Sequence, residues 1–189
     1  YPLPHFPHVI GGEGCGVVEA LGPGVTDVTV GDRVAYSSGG HALPRGSYCE
    51  QRTMNAERLV KLPDGIADET AGAMITKGLT AQYLIHDSHP VSEQDTILVH
   101  SAAGGVGMII AQWARSFGTH VIGVVSSEEK ASFAAEHGCH DVIISTKEEI
   151  SERAKALTGG DGVTAVFDAV GADTFESSLA ALRPLGRLV

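Results

Sequence analysis

The chain has 189 residues, a formal net charge of −10, and three cysteines. The acidic balance disfavours a nucleic-acid or anionic-membrane surface, because such surfaces need a basic patch. The sequence has no run of about 18 apolar residues and no signal-peptide pattern, and its cysteines are widely spaced, so we expect a cytoplasmic protein that acts on a small molecule.

The first third of the sequence has the pattern of a small β domain. Short β-like runs at 16–21, 33–38 and 58–62 are separated by Gly-Pro turns and by the turn signal Val30-Gly31-Asp32. A Pro-Asp-Gly turn then leads into two predicted short helices, 67–74 and 76–85. We place a domain boundary between them, which divides the chain into residues 1–74 and 75–189.

From residue 96 onward, buried-strand patterns alternate with helical patterns. The run 96–101 has the pattern of a buried strand, 105–118 has helical spacing, and 120–126 is a second strand. The alternation continues to a last strand-like run at 187–189 and predicts a parallel sheet with helices on both faces. A doubly wound dinucleotide fold has about six strands, so we expect an incomplete Rossmann sheet of five.

A glycine-rich turn joins the first strand of this region to its helix. In the stretch HSAAGGVGM, Ala102, Gly104 and Gly107 occupy the three positions of a GxGxxG motif. These positions serve a tight turn, a close backbone approach to a pyrophosphate, and close helix–strand packing. The following helix N-terminus offers free amides and a positive dipole end to an anion. We predict a pyrophosphate site here; a glycine-rich turn without a ligand is the alternative.

The end of the second strand bears on which dinucleotide binds. An NAD site usually has Asp or Glu there, whereas this chain has Ser126 and Ser127, with Lys130 one helical turn further on. The Lys130 ammonium could bind a 2′-phosphate, which favours NADPH. Alternatively, Ser126 and Glu129 form a capping box and Lys130 is a solvated surface residue, or Glu128 or Glu129 binds the ribose.

Several stretches together point to a family: 11–36, 46–52, 77–84, 99–107, 123–131 and 166–189. They resemble the zinc-free quinone oxidoreductases, the zeta-crystallin-like branch of the medium-chain dehydrogenases/reductases. The resemblance implies an α/β protein in which a GroES-like β domain precedes a Rossmann domain, the chain returns to the first domain, and homodimers form through the Rossmann sheet. It also implies residues before Tyr1 and after Val189, so we expect a fragment of a longer subunit.

The resemblance also implies roles for individual residues. Tyr1 and Thr80 correspond to residues that position the quinone and the nicotinamide, and Val170 and Gly171 to residues that flank the nicotinamide ribose. Ser145 stands where relatives often have a tyrosine near the adenine-side phosphate. The full set expected to bind the cofactor is Ala102, Ala103, Gly104, Gly105, Val106, Gly107, Ser126, Lys130, Ser145, Val170 and Gly171.

The sequence predicts no metal site. Gly12 stands where zinc-dependent relatives have a histidine, and the histidine-containing runs 5–8 and 137–140 lack an evident third and fourth ligand. Reduction of a quinone or an α,β-unsaturated carbonyl builds a delocalised anion that needs no Lewis acid. We therefore expect an NADPH:quinone oxidoreductase; the alternatives are an NADPH-dependent reductase of α,β-unsaturated aldehydes or ketones and a non-catalytic nucleotide-binding protein.

Overall fold

The computed structural model describes residues 6–7, 9–37 and 46–189, and it divides into two units, Tyr1–Thr76 and Lys77–Val189. The division falls inside one helix, α1 (Asp68–Tyr83), which continues as a π-helical turn at Leu84–Ser88. The prediction of two short helices was wrong, because residues 74–77 contain no proline or glycine to end the first helix.

The first unit contains a three-stranded antiparallel sheet in the order β1-β2-β3. Its strands are β1 (Glu13–Val17), β2 (Arg33–Ser37) and β3 (Val60–Lys61), and a 3-10 turn, Ala56–Arg58, precedes β3. β1 begins earlier than the sequence predicted, since residues 13–17 pair one by one with β2. Within this unit, Arg33 Nε donates to Asp68 Oδ1 at 2.9 Å and ties β2 to the start of α1.

The second unit is built on a five-stranded parallel sheet in the order β6-β5-β4-β7-β8. Its strands are β4 (Thr96–His100), β5 (His120–Val125), β6 (Asp141–Ile144), β7 (Val163–Phe167) and β8 (Leu182–Leu188). Its remaining helices are α2 (Gly105–Ser116), α3 (Glu128–Glu136), α4 (Ile150–Leu157) and α5 (Phe175–Ala181). The predicted Rossmann-like α/β sheet is confirmed.

Successive residues of β4 bury opposite faces of this sheet. Ile97 and Val99 pack with Ile110 of α2, whereas Leu98 packs in a second cluster with Ala154 of α4. All five side chains are 2% exposed or less. A strand that is covered on both faces reads as a continuous apolar run, which is the pattern seen at 96–99.

The strand order reverses between β4 and β7. β5 and β6 lie to one side of β4, and β7 and β8 lie to the other side. The chain therefore leaves the sheet in opposite directions after β4 and after β7, and a crevice opens at their carboxyl ends, where doubly wound folds bind ligands.

Within residues 6–7, 9–37 and 46–189, no helix is both long and apolar enough to cross a membrane.

Candidate functional site

The glycine-rich turn forms a tight connection between β4 and α2. Ser101 has a positive φ of 51°, and the Gly104 amide donates to the Ser101 carbonyl at 2.7 Å. Gly104 is the N-cap of α2 and has extended backbone angles, with φ −85° and ψ 168°. Since glycine has no side chain to cap the helix, the first amides of α2 are left for another acceptor.

Close backbone contacts explain why small residues occupy this turn. A Cβ on Gly107 would lie 2.4 Å from the Ser101 carbonyl oxygen and 3.0 Å from Ala102 Cα. A Cβ on Gly104 would lie 3.0 Å from the same oxygen. Ala102 is buried beneath the turn. A Cβ on Gly123 of β5 would lie 2.9 Å from the Cβ of Ala102. The N-terminus of α2 is thus packed directly on the end of β4.

A cavity of about 310 Å³ opens beside this turn at the carboxyl ends of the parallel strands. Residues that follow β4, β5, β6 and β7 all contribute to its wall. The cavity brings together these residues from the predicted set: Ala103, Gly104, Ser126, Lys130, Ser145 and Val170. His100, Ser101 and Thr174 also line it and were not predicted.

Ser126 and Lys130 face each other at the end of β5. Lys130 Nζ lies 3.3 Å from Ser126 Oγ, and both side chains are exposed. The N-cap of α3 is Ser127, whose hydroxyl accepts from the Lys130 amide at 3.4 Å. The alternative capping box of Ser126 with Glu129 is therefore wrong, because the helix begins one residue later than that pairing requires. Ser126 is left beside the Lys130 ammonium.

The neighbouring carboxylate of Glu128 is paired with a lysine outside the cavity lining. Glu128 forms an ion pair with Lys147 Nζ at 2.6 Å, on the side of α3 that faces the end of β6. Ser145, which follows β6, donates its hydroxyl to the Val125 carbonyl at 3.2 Å. Of the lysines and arginines in the ranges that the structure describes, Lys130 is the one that lines the cavity.

The loop after β7 is held by a carboxylate that the sequence analysis did not single out. Asp168 Oδ1 accepts from the amides of Val170 at 2.9 Å and Gly171 at 3.1 Å. The amides of these two predicted ribose-flanking residues are therefore occupied within the loop, and Gly171 has a φ of 90° that permits this turn. An aspartate directly after a buried strand, with glycine three residues on, is the signal that could have indicated it.

Asp168 also belongs to a buried polar network. Its Oδ2 accepts from Thr174 Oγ1 at 2.8 Å and from Ser178 Oγ at 2.7 Å, and Ser178 Oγ lies 2.9 Å from His100 Nε2. Burial alone would raise the pKa of Asp168, but these hydrogen bonds outweigh it and lower the pKa to about 2. Burial lowers the pKa of His100, with Asp168 opposing the shift, which favours the neutral imidazole.

Two family models match almost the whole chain between them. Residues 1–93 match the alcohol dehydrogenase GroES-like domain, and residues 105–189 match the zinc-binding dehydrogenase domain. The chain belongs to the medium-chain dehydrogenases/reductases. Known members of this family are similar along all or nearly all of the chain: a quinone oxidoreductase of Pseudomonas aeruginosa is 47% identical over 189 residues, and a 2-haloacrylate reductase of a Burkholderia species is 45% identical over 182 residues.

Solved structures of family members superpose closely on this fold. The quinone oxidoreductase of Pseudomonas syringae pv. tomato has a TM-score of 0.90 at 44% identity, and that of Escherichia coli, solved with NADPH, has a TM-score of 0.90 at 38% identity. Both are matched over 100% of this chain. The chain spans 57% of the Pseudomonas aeruginosa relative, 54% of the Burkholderia relative, and 57% and 56% of the two solved chains.

The second family model's description implies zinc, and the described residues do not fit it. Across 6–7, 9–37 and 46–189, no three His, Cys, Asp or Glu side chains converge on a point that could hold a metal. In the predicted candidate run 137–140, His140 Nδ1 accepts from the Val121 amide at 3.1 Å, and burial raises the pKa of Cys139 to about 11. His5 and His8 lie outside the described residues. Glu13 Oε2 accepts from the Thr76 amide at 3.0 Å, a contact within the first unit.

The remaining predicted residues of this family member lie elsewhere. Gly105, Val106 and Gly107 form the first turn of α2, behind the cavity wall. Thr80 is half-buried in α1 and does not line the cavity. Tyr1 lies outside the described residues.

Proposed function

We propose that the protein to which this chain belongs is a zinc-independent NADPH:quinone oxidoreductase. The observation that carries the proposal is the cavity at the carboxyl ends of β4 to β7, which joins a glycine turn and a helix N-terminus to a serine–lysine pair. The quinone oxidoreductases of Pseudomonas aeruginosa and Escherichia coli, at 47% and 40% identity, support the same activity.

The residues of the cavity fit NADPH. A side chain at Gly104 or Gly107 would press on the Ser101 carbonyl oxygen and distort the turn, and the first amides of α2 are donors suited to a pyrophosphate. Ser126 Oγ and Lys130 Nζ lie close enough to bind the oxygens of one 2′-phosphate together. When bound, NADPH supplies the hydride that the acceptor receives.

The acceptor side of the proposal rests on the chemistry of the residues that are present. Gly12 has no side chain that could ligate a metal. A quinone that accepts a hydride becomes a hydroquinone anion, whose negative charge is delocalised and needs no Lewis acid. Thr80 and Tyr1 are proposed to orient the nicotinamide and the quinone. Catalysis then depends on holding the nicotinamide C4 within about 3 to 3.5 Å of the acceptor in a site that excludes water.

Titration with NADPH and NADH tests the cofactor assignment. We expect NADPH to bind tighter than NADH, and Lys130→Ala to raise the Kd for NADPH by about tenfold or more while leaving that for NADH nearly unchanged. Lys155→Ala is the matched control, because Lys155 is an exposed lysine of α4 that does not line the cavity. Equal loss in both variants, or no preference for NADPH, would refute the assignment.

A second candidate activity is reduction of activated carbon–carbon double bonds. It is favoured by the 45% identity to the 2-haloacrylate reductase, whose substrate is an α,β-unsaturated acid. Steady-state oxidation of NADPH with a panel of quinones, 2-alkenals and enones separates the two. We expect higher kcat/KM for quinones; a clear preference for the unsaturated carbonyls would select the second activity, and no turnover with either would select a non-catalytic nucleotide-binding protein.

Assembly and location belong to the same proposal. We expect the complete subunit to form a homodimer and to work in the cytoplasm on a diffusible small molecule. The three cysteines are all free, in keeping with a reducing compartment.

A further inference from the structure

A row of buried hydrogen bonds lies behind one wall of the candidate cavity. His100 at the end of β4 is 4% exposed and Ser178 in α5 is fully buried. His100 Nε2 lies 2.9 Å from Ser178 Oγ, which lies 2.7 Å from Asp168 Oδ2. Three elements, β4, α5 and the loop after β7, thus meet in one relay whose first member lines the cavity.

The direction of the protons in this relay follows from counting donors. Asp168 accepts from two backbone amides and two hydroxyls, and an ionised carboxylate can only accept. The single hydroxyl proton of Ser178 therefore goes to Asp168, and the Ser178 oxygen must accept from His100 Nε2. A neutral imidazole has one N–H, so the proton lies on Nε2 and Nδ1 is unprotonated.

We propose that His100 offers its unprotonated Nδ1 as a hydrogen-bond acceptor to a hydroxyl or amide N–H donor of the dinucleotide, and that Ser178 and Asp168 are the positioning residues that fix this tautomer. Among the residues that the structure describes, the His100 ring has its one hydrogen bond through Nε2. The identity of the ligand rests on the proposed function. The tautomer rests instead on the hydrogen bonds of the relay and on the neutral state that burial favours for His100.

The same donor count predicts what an isosteric change does. In Asp168→Asn, the amide oxygen stays opposite the backbone amides of Val170 and Gly171, which places the NH₂ group toward Ser178 and Thr174. The NH₂ group then donates to Ser178 Oγ, and the Ser178 proton turns toward His100 Nε2. Every group keeps a partner, so the variant retains the fold, and the His100 proton moves to Nδ1.

Nitrogen NMR of the histidine rings tests this inference in the protein without cofactor. The ¹⁵N-labelled protein is expected to show His100 with a pyrrole-type Nε2 and a pyridine-type Nδ1, assigned by the signal that His100→Gln removes. Asp168→Asn is expected to exchange the two signal types. Asp95→Asn is the control, because Asp95 is also a partly buried carboxylate that accepts from an amide and a hydroxyl, those of Ser92. It should leave His100 unchanged.

Either of two results overturns the relay: a proton on Nδ1 in the unmodified protein, or an unchanged tautomer in a folded Asp168→Asn variant. If Asp168→Asn fails to fold by circular dichroism, Ser178→Ala decides instead. That variant removes the bridge, and we expect a mixture of tautomers; a single Nε2–H form would refute the role of Ser178.

The affinity for NADPH tests the ligand part separately. We expect the Kd for NADPH to rise about tenfold in Asp168→Asn, because Nδ1–H can no longer accept, and to stay unchanged in Asp95→Asn. An unchanged Kd in Asp168→Asn would overturn the acceptor role of His100. Failure of the unmodified protein to bind NADPH would instead overturn the proposed function, whatever the tautomer measurement gives.

Discussion

At the scale of single residues, two kinds of position define the candidate site. Glycines are required where backbone atoms approach too closely for a Cβ, as at Gly107. Charged and polar residues act at the strand ends, as with Lys130 beside Ser126 and Asp168 beside four donors. The first kind was predictable from the motif, since its spacing is fixed by local geometry. His100 was not, because its role depends on Ser178, which lies 78 residues away in the sequence. Asp168 was missed although the groups that it accepts from lie within ten residues of it.

Asp168 is expected to make the free energy of unfolding depend on pH. Its pKa is about 2 in the folded chain against an ordinary value of 3.8. A lowered pKa stabilises the fold above the unfolded pKa, so this contribution is present above about pH 4 and is lost as the pH falls through about 2. Its side chain is only 5% exposed, so the loss amounts to roughly 2 kcal/mol of unfolding free energy.

Chemical denaturation at a series of pH values measures this loss. The unmodified protein should lose stability between about pH 4 and pH 2 more steeply than Asp168→Asn, and the gap between them should narrow toward pH 2. Parallel curves for the two proteins across this range would show that the carboxylate is not held in its ionised form by the fold.

At the scale of elements, the second unit was predictable and the first less so. Buried-strand runs such as 96–100 and 120–125 are long, apolar and followed by turn signals, so local pattern and tertiary environment agree. α1 was missed as one helix although no proline or glycine interrupts residues 73–77 at its centre. β1 was misplaced because its bounds are set by pairing with β2, and β8 begins five residues before the predicted run, against β7.

The close packing of α2 on the end of β4 is expected to contribute to the stability of the fold. We expect Gly107→Ala to lower the unfolding free energy by about 1 to 3 kcal/mol, because a Cβ 2.4 Å from the Ser101 carbonyl oxygen forces the helix away from the turn. The same shift should weaken binding of NADPH at the helix N-terminus. Thermal and urea denaturation measure the first effect, and nucleotide fluorescence measures the second.

Gly105→Ala is the matched control within the same turn of helix. A Cβ there would meet Lys77 Cδ at 2.7 Å, which is part of a flexible side chain that can move aside. We expect little loss of stability from this change. Equal destabilisation by the two variants would contradict the account of why the motif needs glycine at position 107.

At the scale of the whole molecule, the sheet order brings the residues that line the candidate cavity together at the carboxyl ends of the parallel strands. Parallel strands end on the same side, and the reversal between β4 and β7 opens the crevice there. The sequence predicted this arrangement because alternating strands and helices allow few topologies. It did not predict the buried network behind the crevice, since several topologically distant side chains come together only in the folded sheet.

The structure of the protein with NADPH bound tests the central claim most directly. We predict that the pyrophosphate lies on the first amides of α2 and that the 2′-phosphate lies within hydrogen-bond distance of both Ser126 Oγ and Lys130 Nζ. A 2′-phosphate bound by other residues, or a cofactor that leaves the cavity between β4 and β7 empty, would contradict the account.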